Sequence, residues 1–170
     1  MPCPSIVRVA KPEDHQEIWR LFLHGYRENA LFPIEPTKVD WFINRAIHPE
    51  LIPEWDSGIR GTIGVIGQVG ALEALVFVVL GEYWYTRHKH IEEFIVFTDP
   101  EHRKSGHANA LHEWMKNQVE ATNLPLVTGI MSNVRTEAKC RLYRRHFTKI
   151  GEFFYLGPKG SMPFITAMSS

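Results

Sequence analysis

Cysteine is nearly absent: the 170 residues hold two, Cys3 and Cys140. They lie too far apart to found a disulfide framework, which points to a reduced, cytoplasmic protein. Long apolar runs are also missing. The longest, residues 74–80 (ALVFVVL), is far short of the about 20 residues that a membrane helix needs. The first residues, MPCPSIVRVAKPED, lack the basic segment and apolar stretch of a secretory signal. Nor does one sign of charge dominate, since 19 Lys and Arg balance 19 Asp and Glu. No overall field then points to nucleic acid or an anionic membrane, and any anion recognition must be local. Repeats and low-complexity segments are absent too. What is there is an ordinary globular composition, 44% hydrophobic and 22% charged, on a length that suits one domain with its own core.

Periodicity predicts the elements. Residues 6–10 alternate like a first strand, and Pro12, followed by Glu13 and Asp14, opens a helix with Ile18, Leu21, Phe22 and Tyr26 on its apolar face. Residues 29–58 hold Pro33, Pro36, Pro49 and Pro53 and read as irregular, with a short helix over 39–46. Strands follow over 61–67 and 71–84, joined by a tight turn at Val69-Gly70, and again over 90–98. Ala108, Leu111, Met115 and Val119 then mark a helix that ends near Asn123-Leu124-Pro125. A strand over 126–130, a basic helix over 135–147, a late strand over 151–156 and an edge segment near 164–166 complete the order. Hairpins followed by a strand–helix–strand–helix unit predict an α/β fold with a mixed, mostly antiparallel sheet flanked by helices.

Between the apolar strand IEEFIVFT and the helix lies DPEHRKSGHA. A basic, glycine-containing turn at the positive end of a helix suits a phosphate. Arg103-Lys104-Ser105-Gly106-His107-Ala108 is neither a Walker loop nor the three-glycine dinucleotide fingerprint. It resembles the pyrophosphate turn of the GNAT superfamily of N-acetyltransferases, Arg/Gln-x-x-Gly-x-Gly/Ala, and the element order resembles a GNAT domain over nearly all of 1–170. Gly106 and Ala108 let backbone N–H groups approach a pyrophosphate, and Arg103 and Lys104 add charge. An ordinary strand-to-helix turn with solvated cations is the alternative.

The resemblance implies that acetyl-CoA is the co-substrate, held between two splayed strands, with the backbone of Val96, Phe97 and Thr98 beside its pantetheine arm. Backbone N–H groups around residues 94–96 would serve the oxyanion. Asn133 resembles the family's cofactor-site asparagine, although it stands ten residues before Tyr143; it also suits a helix N-cap. Tyr143 resembles the family's proton donor to the leaving thiolate. Glu92 and Glu93 are the candidate bases, and a strand sends them to opposite faces, so one at most looks into the cleft. Glu93 is the preferred one. The other reading leaves one solvated and pairs the other with a cation such as Lys89.

Nine histidines raise the question of a metal. The spacing of His102, His107 and His112 does not stack them on one helix face, so no metal is expected. The basic run 141–149 reads as a solvated face or a dock for the 3′-phosphate of CoA. Phe32, Trp41 and Tyr83 are positions to inspect for an acceptor cleft. The resulting expectation is direct acetyl transfer from acetyl-CoA to an amine-bearing acceptor, a small molecule or a protein, with no nucleic-acid or membrane partner. The aromatic strand and the apolar tail offer material for a homodimer face. The competing reading is a GNAT-shaped module that binds CoA or a protein and does no chemistry.

Overall fold

In the computed structural model residues 5–158 are described. A short first strand, β1 (Arg8–Val9), runs into a 3₁₀ turn at Pro12–Asp14 and then α1 (His15–Asn29). Asp14 fixes this corner. Its fully buried carboxylate accepts two bonds from Arg8, at 2.7 and 2.8 Å, and one from the Lys11 N–H at 2.8 Å. These bonds, the Arg8 pair first, hold its pKa below the usual carboxylate value against the upward pull of burial. The irregular proline-rich segment contains α2 (Pro36–Ile47), longer than the spacing predicts because Pro36 starts it at the first helical position.

The sheet follows: β2 (Gly61–Gln68), β3 (Ala71–Glu82), β4 (Lys89–Thr98) and β5 (Leu126–Val127), with α3 (His107–Thr122) and α4 (Thr136–His146) around the last strand. Strand order is β1-β2-β3-β4-β5. The first four strands pair antiparallel and β5 joins β4 in parallel. The apolar run 74–80 is explained by the place of β3 at the centre of this sheet. Leu75, Phe77 and Val79 face α1 and α2, packing with Ile18, Leu21 and Ile43. Their neighbours Ala74, Val76 and Val78 face α3, packing with Leu111, Trp114 and Met115. A strand covered on both faces loses the polar half of its alternation. Helix α1 comes close to β4 through Gly25, where an added Cβ would lie 3.0 Å from Ile95 and 3.1 Å from Phe97.

Two expectations need correction. The predicted strand over 126–130 stops at Val127, because only Leu126 and Val127 stay in register with β4. The late strand over 151–156 does not form. Residues 148–158 are neither helix nor strand, and Ile150, Phe154 and Leu156 are 83%, 89% and 97% exposed. A two-residue edge is too short a ladder to template a further strand. The edge segment near 164–166 and Cys3 lie outside the described residues. No helix among the described residues is long and apolar enough to cross a membrane.

Candidate active site

The site begins with an irregularity in β4. Phe77 pairs with Ile95 and its neighbour Val78 pairs with Glu93, so Phe94 is an extra residue that no residue of β3 faces. Such a bulge bends a strand and leaves backbone groups out of the ladder. At the same level β4 parts from the chain after β5: Ile91 pairs with Leu126 and Glu92 with Val127, and pairing ends there. The splay opens a cleft of about 700 Å³. Residues 92–98, the continuation of β5 over 127–132, the C-terminal half of α1, and Arg135, Ala138, Lys139 and Tyr143 line it, with Arg103 and Ala108 at the end of α3.

The two glutamates diverge as strand alternation requires. Glu92 is exposed, whereas Glu93 turns toward α4. One oxygen of its carboxylate, Oε2, accepts the Tyr143 hydroxyl at 2.8 Å and also the Thr128 hydroxyl. Glu93 as a residue is half-buried along the cleft, but its carboxyl group lies inside the protein, and burial pushes its pKa up to about 7. The two hydroxyl donors work in the opposite direction and only moderate that rise. Tyr143 is raised well above its ordinary 10, by burial first and then by the neighbouring carboxylate, so it stays protonated. Lys89 pairs with Glu82 and not with either glutamate.

Tyr143 is backed edge-on by His112, with ring centroids 4.6 Å apart. His112 is completely buried, and neither ring nitrogen has a hydrogen-bond partner among the described residues. Burial and then nearby His146 lower its pKa to about 4, leaving a neutral ring.

At the far end of the cleft Gly106 takes a left-handed conformation, φ +86°, and starts α3. The first intrahelical bond runs from Ala110 N–H to the Gly106 carbonyl, so the N–H groups of the first turn have no intrahelical acceptor. An added Cβ at Gly106 would meet nothing within 4 Å, so its side of the turn is open. The turn itself is braced. Ser105 donates from both its N–H and its hydroxyl to the His102 carbonyl. His107 faces away from the cleft: its buried ring bridges Glu73 at 2.5 Å and Ser5 at 2.6 Å. Arg103 lines the cleft in an ion pair with Glu28 of α1, over the ring of Phe97, while Lys104 points to solvent.

The structure thus brings together Glu93, Tyr143, Val96, Phe97, Thr98, Arg103 and Ala108 around one opening. Lys104, Ser105, Gly106 and His107 supply backbone to the turn and are not among the residues that line the cleft. Asn133 is exposed and outside the lining as well. The N-cap position of α4 is Arg135, in a left-handed conformation with φ 55°, and not Asn133, because the helix starts only at Thr136. Phe32 lines the cleft; Trp41 and Tyr83 do not.

The sequence gives no site role to several cleft residues, among them Thr128, His112, Lys139 and Arg135. Thr128 and His112 meet Tyr143 and Glu93 only through tertiary contacts. Lys139 and Arg135 had a readable signal, since they stand four and eight residues before Tyr143 and so share its helix face. Burial lowers the pKa of Lys139, which donates to Ser132 Oγ at 2.6 Å. Among the described residues no group of three or more His, Cys, Asp or Glu is placed to hold a metal ion.

No family model and no curated relative matches this sequence. Solved structures do match. A ribosomal-protein-alanine N-acetyltransferase from Brucella melitensis biovar Abortus 2308 is 14% identical, with a TM-score of 0.64 over 90% of this chain and 97% of that one. A predicted acetyltransferase from Clostridium acetobutylicum, solved with acetyl-CoA, is 12% identical with a TM-score of 0.62 over 89% and 95%. AAC(6')-Iy, in complex with the bisubstrate analog CoA-S-monomethyl-acetylneamine, is 10% identical with a TM-score of 0.64 over 94% and 100%.

Proposed function

We propose that this chain, which has the fold of the GNAT N-acetyltransferases, moves an acetyl group from acetyl-CoA to an amine by direct attack on the thioester. The observation that carries the reading is the hydrogen bond from Tyr143 to Glu93 at the bulge of β4, inside a cleft that ends on a helix N-terminus. A module that only binds CoA has use for the turn and the splay, but none for a carboxylate poised near neutrality beside a protonated tyrosine.

The chain's own groups cover the needs of the reaction. The first turn of α3 offers N–H donors and the positive end of the helix to a pyrophosphate. Arg103, Arg135 and Lys139 put cations on the same cleft. The bulge leaves backbone donors near residues 94–96 where an oxyanion would form. Glu93, with a pKa of about 7, takes the proton that the amine loses. Tyr143 gives its proton to the departing sulfur and is resupplied by protonated Glu93 through their hydrogen bond. C–N bond formation, C–S cleavage and the two proton movements then balance.

The dyad also removes an energetic obstacle. An unperturbed tyrosine is a weaker acid than a thiol by about 1.5 pKa units, roughly 2 kcal/mol uphill. With the proton coming from a carboxyl near 7, the same transfer to a thiolate is downhill by about that amount. Acetyl-CoA with a panel of primary amines, read by thiol release, tests the proposal. Turnover is expected with at least one amine class, and a fall in it of about 10² to 10⁴ in Glu93→Gln.

A further inference from the structure

A second, smaller cavity lies behind the bulge. It measures about 190 Å³ and forms a partly open recess between the sheet and the pair α1 and α2, with Ile18, Val39, Ile43 and Leu75 among its walls. Every side chain that lines it is apolar. It shares Phe22, Phe94 and Ile95 with the large cleft, so the ring of the bulged residue stands between the two spaces. Phe94 is 42% exposed, and its ring meets Phe42 and Phe77 edge-on at 5.3 and 5.6 Å. An apolar recess of this size forfeits packing contacts while no apolar group fills it. A gap left open at the one place where β4 bulges calls for an occupant.

We propose that this pocket receives the tail of an acyl group longer than acetyl, so that the donors include short- to medium-chain acyl-CoA. The inference rests on the acyl-transfer reading above. In that reading the carbonyl carbon sits at the N–H groups of the bulge, and the atoms attached to it on the side away from sulfur start beside Phe94. An acyl chain is the apolar part of the reaction that begins at this carbon. An acceptor amine gains nothing from the pocket, which offers no polar side chain to orient it. A liquid water occupies about 30 Å³, so the space equals about six waters, the bulk of a chain of about four to six carbons. Chemistry is unchanged by the length: the C–S bond breaks, the C–N bond forms, Glu93 takes the amine proton and the sulfur is protonated. The Phe94 ring has to turn aside to admit the chain.

The test needs no knowledge of the acceptor. Calorimetric Kd values are measured on the whole protein for CoA and for acetyl-, butanoyl-, hexanoyl- and dodecanoyl-CoA. Each methylene buried is expected to tighten binding about fourfold, or about sixteenfold from acetyl to butanoyl, with no further gain from hexanoyl to dodecanoyl. Val39→Phe, which fills the pocket from α2, should flatten the series, with its fold checked by circular dichroism. Equal affinity for all the thioesters would overturn the inference and leave the CoA reading standing; that is also the outcome if an apolar acceptor uses the pocket. A rise with chain length that Val39→Phe leaves untouched places the chain elsewhere and overturns it as well. Failure of every CoA compound to bind removes the acyl-transfer reading itself.

Discussion

Glu93 and Tyr143, fifty residues apart in sequence, share one hydrogen bond of 2.8 Å across the opening between β4 and α4. That bond joins a carboxylate whose pKa burial has raised to about 7 to a phenol that burial keeps protonated. Burial sets both protonation states, while the bond between the two groups lowers Glu93 and raises Tyr143 further, and the chemical predictions follow from this coupling.

Glu93→Gln keeps the shape and the acceptor oxygen but cannot take a proton. Loss of a general base should lower kcat/KM by about 10² to 10⁴. The wild-type rate should rise with pH through about 7, as the carboxylate form appears, and the variant should lose that limb. The pH profile of kcat/KM checks both.

The same raised pKa has a consequence for stability. Between the ordinary carboxylate value of 4.5 and about 7 the native state holds a proton that the unfolded chain has released. Stability contributed by Glu93 is therefore full below the unfolded value and declines as pH rises through about 7. Glu93→Gln has no such decline. Melting temperatures at pH 5 and pH 8 should shift in favour of the variant at the higher pH, independently of any substrate.

Tyr143→Phe removes the donor to sulfur and a hydrogen bond that favours ionised Glu93. We expect kcat to fall by about 10² to 10⁴ without vanishing. The acid limb should also move to higher pH, since Glu93 loses one of the two hydroxyls that pull its pKa down. A Phe variant with an unmoved limb contradicts the coupling.

Arg103 and Glu28 should respond in opposite directions. Arg103→Ala removes a charge-assisted donor worth about 1.5–3 kcal/mol, so acetyl-CoA should bind about tenfold or more weakly. Glu28→Gln frees Arg103 from its ion pair and takes a carboxylate off the cleft, and binding should tighten. If Glu28→Gln weakens binding as much as Arg103→Ala, the pair is a strut and not a phosphate site.

Much of this arrangement was legible before the structure. Leu111 and Met115 announced the buried stripe of α3, and the adjacency of Glu92 and Glu93 required them to part. The bulge was not legible. Residues 94–97 are all apolar, so the slip at Phe94 leaves no mark in their alternation. Thr128 and His112 join the site through contacts 35 and 31 residues distant in sequence, which local periodicity does not encode. The motif places His107 in the cofactor turn; its ring instead ties that turn to Glu73 on β3. The late strand failed for a different reason: apolar and aromatic residues state a preference for extended chain, but a strand needs a partner edge, and β5 ends after two residues.

The central claim is that the start of α3 receives the pyrophosphate of a CoA thioester. The most direct test is a thermal-shift titration with acetyl-CoA, CoA, ATP and NAD in parallel, on the wild type and on Gly106→Trp. At about a hundred times Kd a ligand adds about 2.7 kcal/mol, which for this length raises Tm by roughly 5–10 °C. The account predicts that rise for acetyl-CoA and CoA alone, and its loss in Gly106→Trp, where a large side chain covers the open side of the turn. No rise with any CoA compound, or an equal rise in the variant, contradicts it.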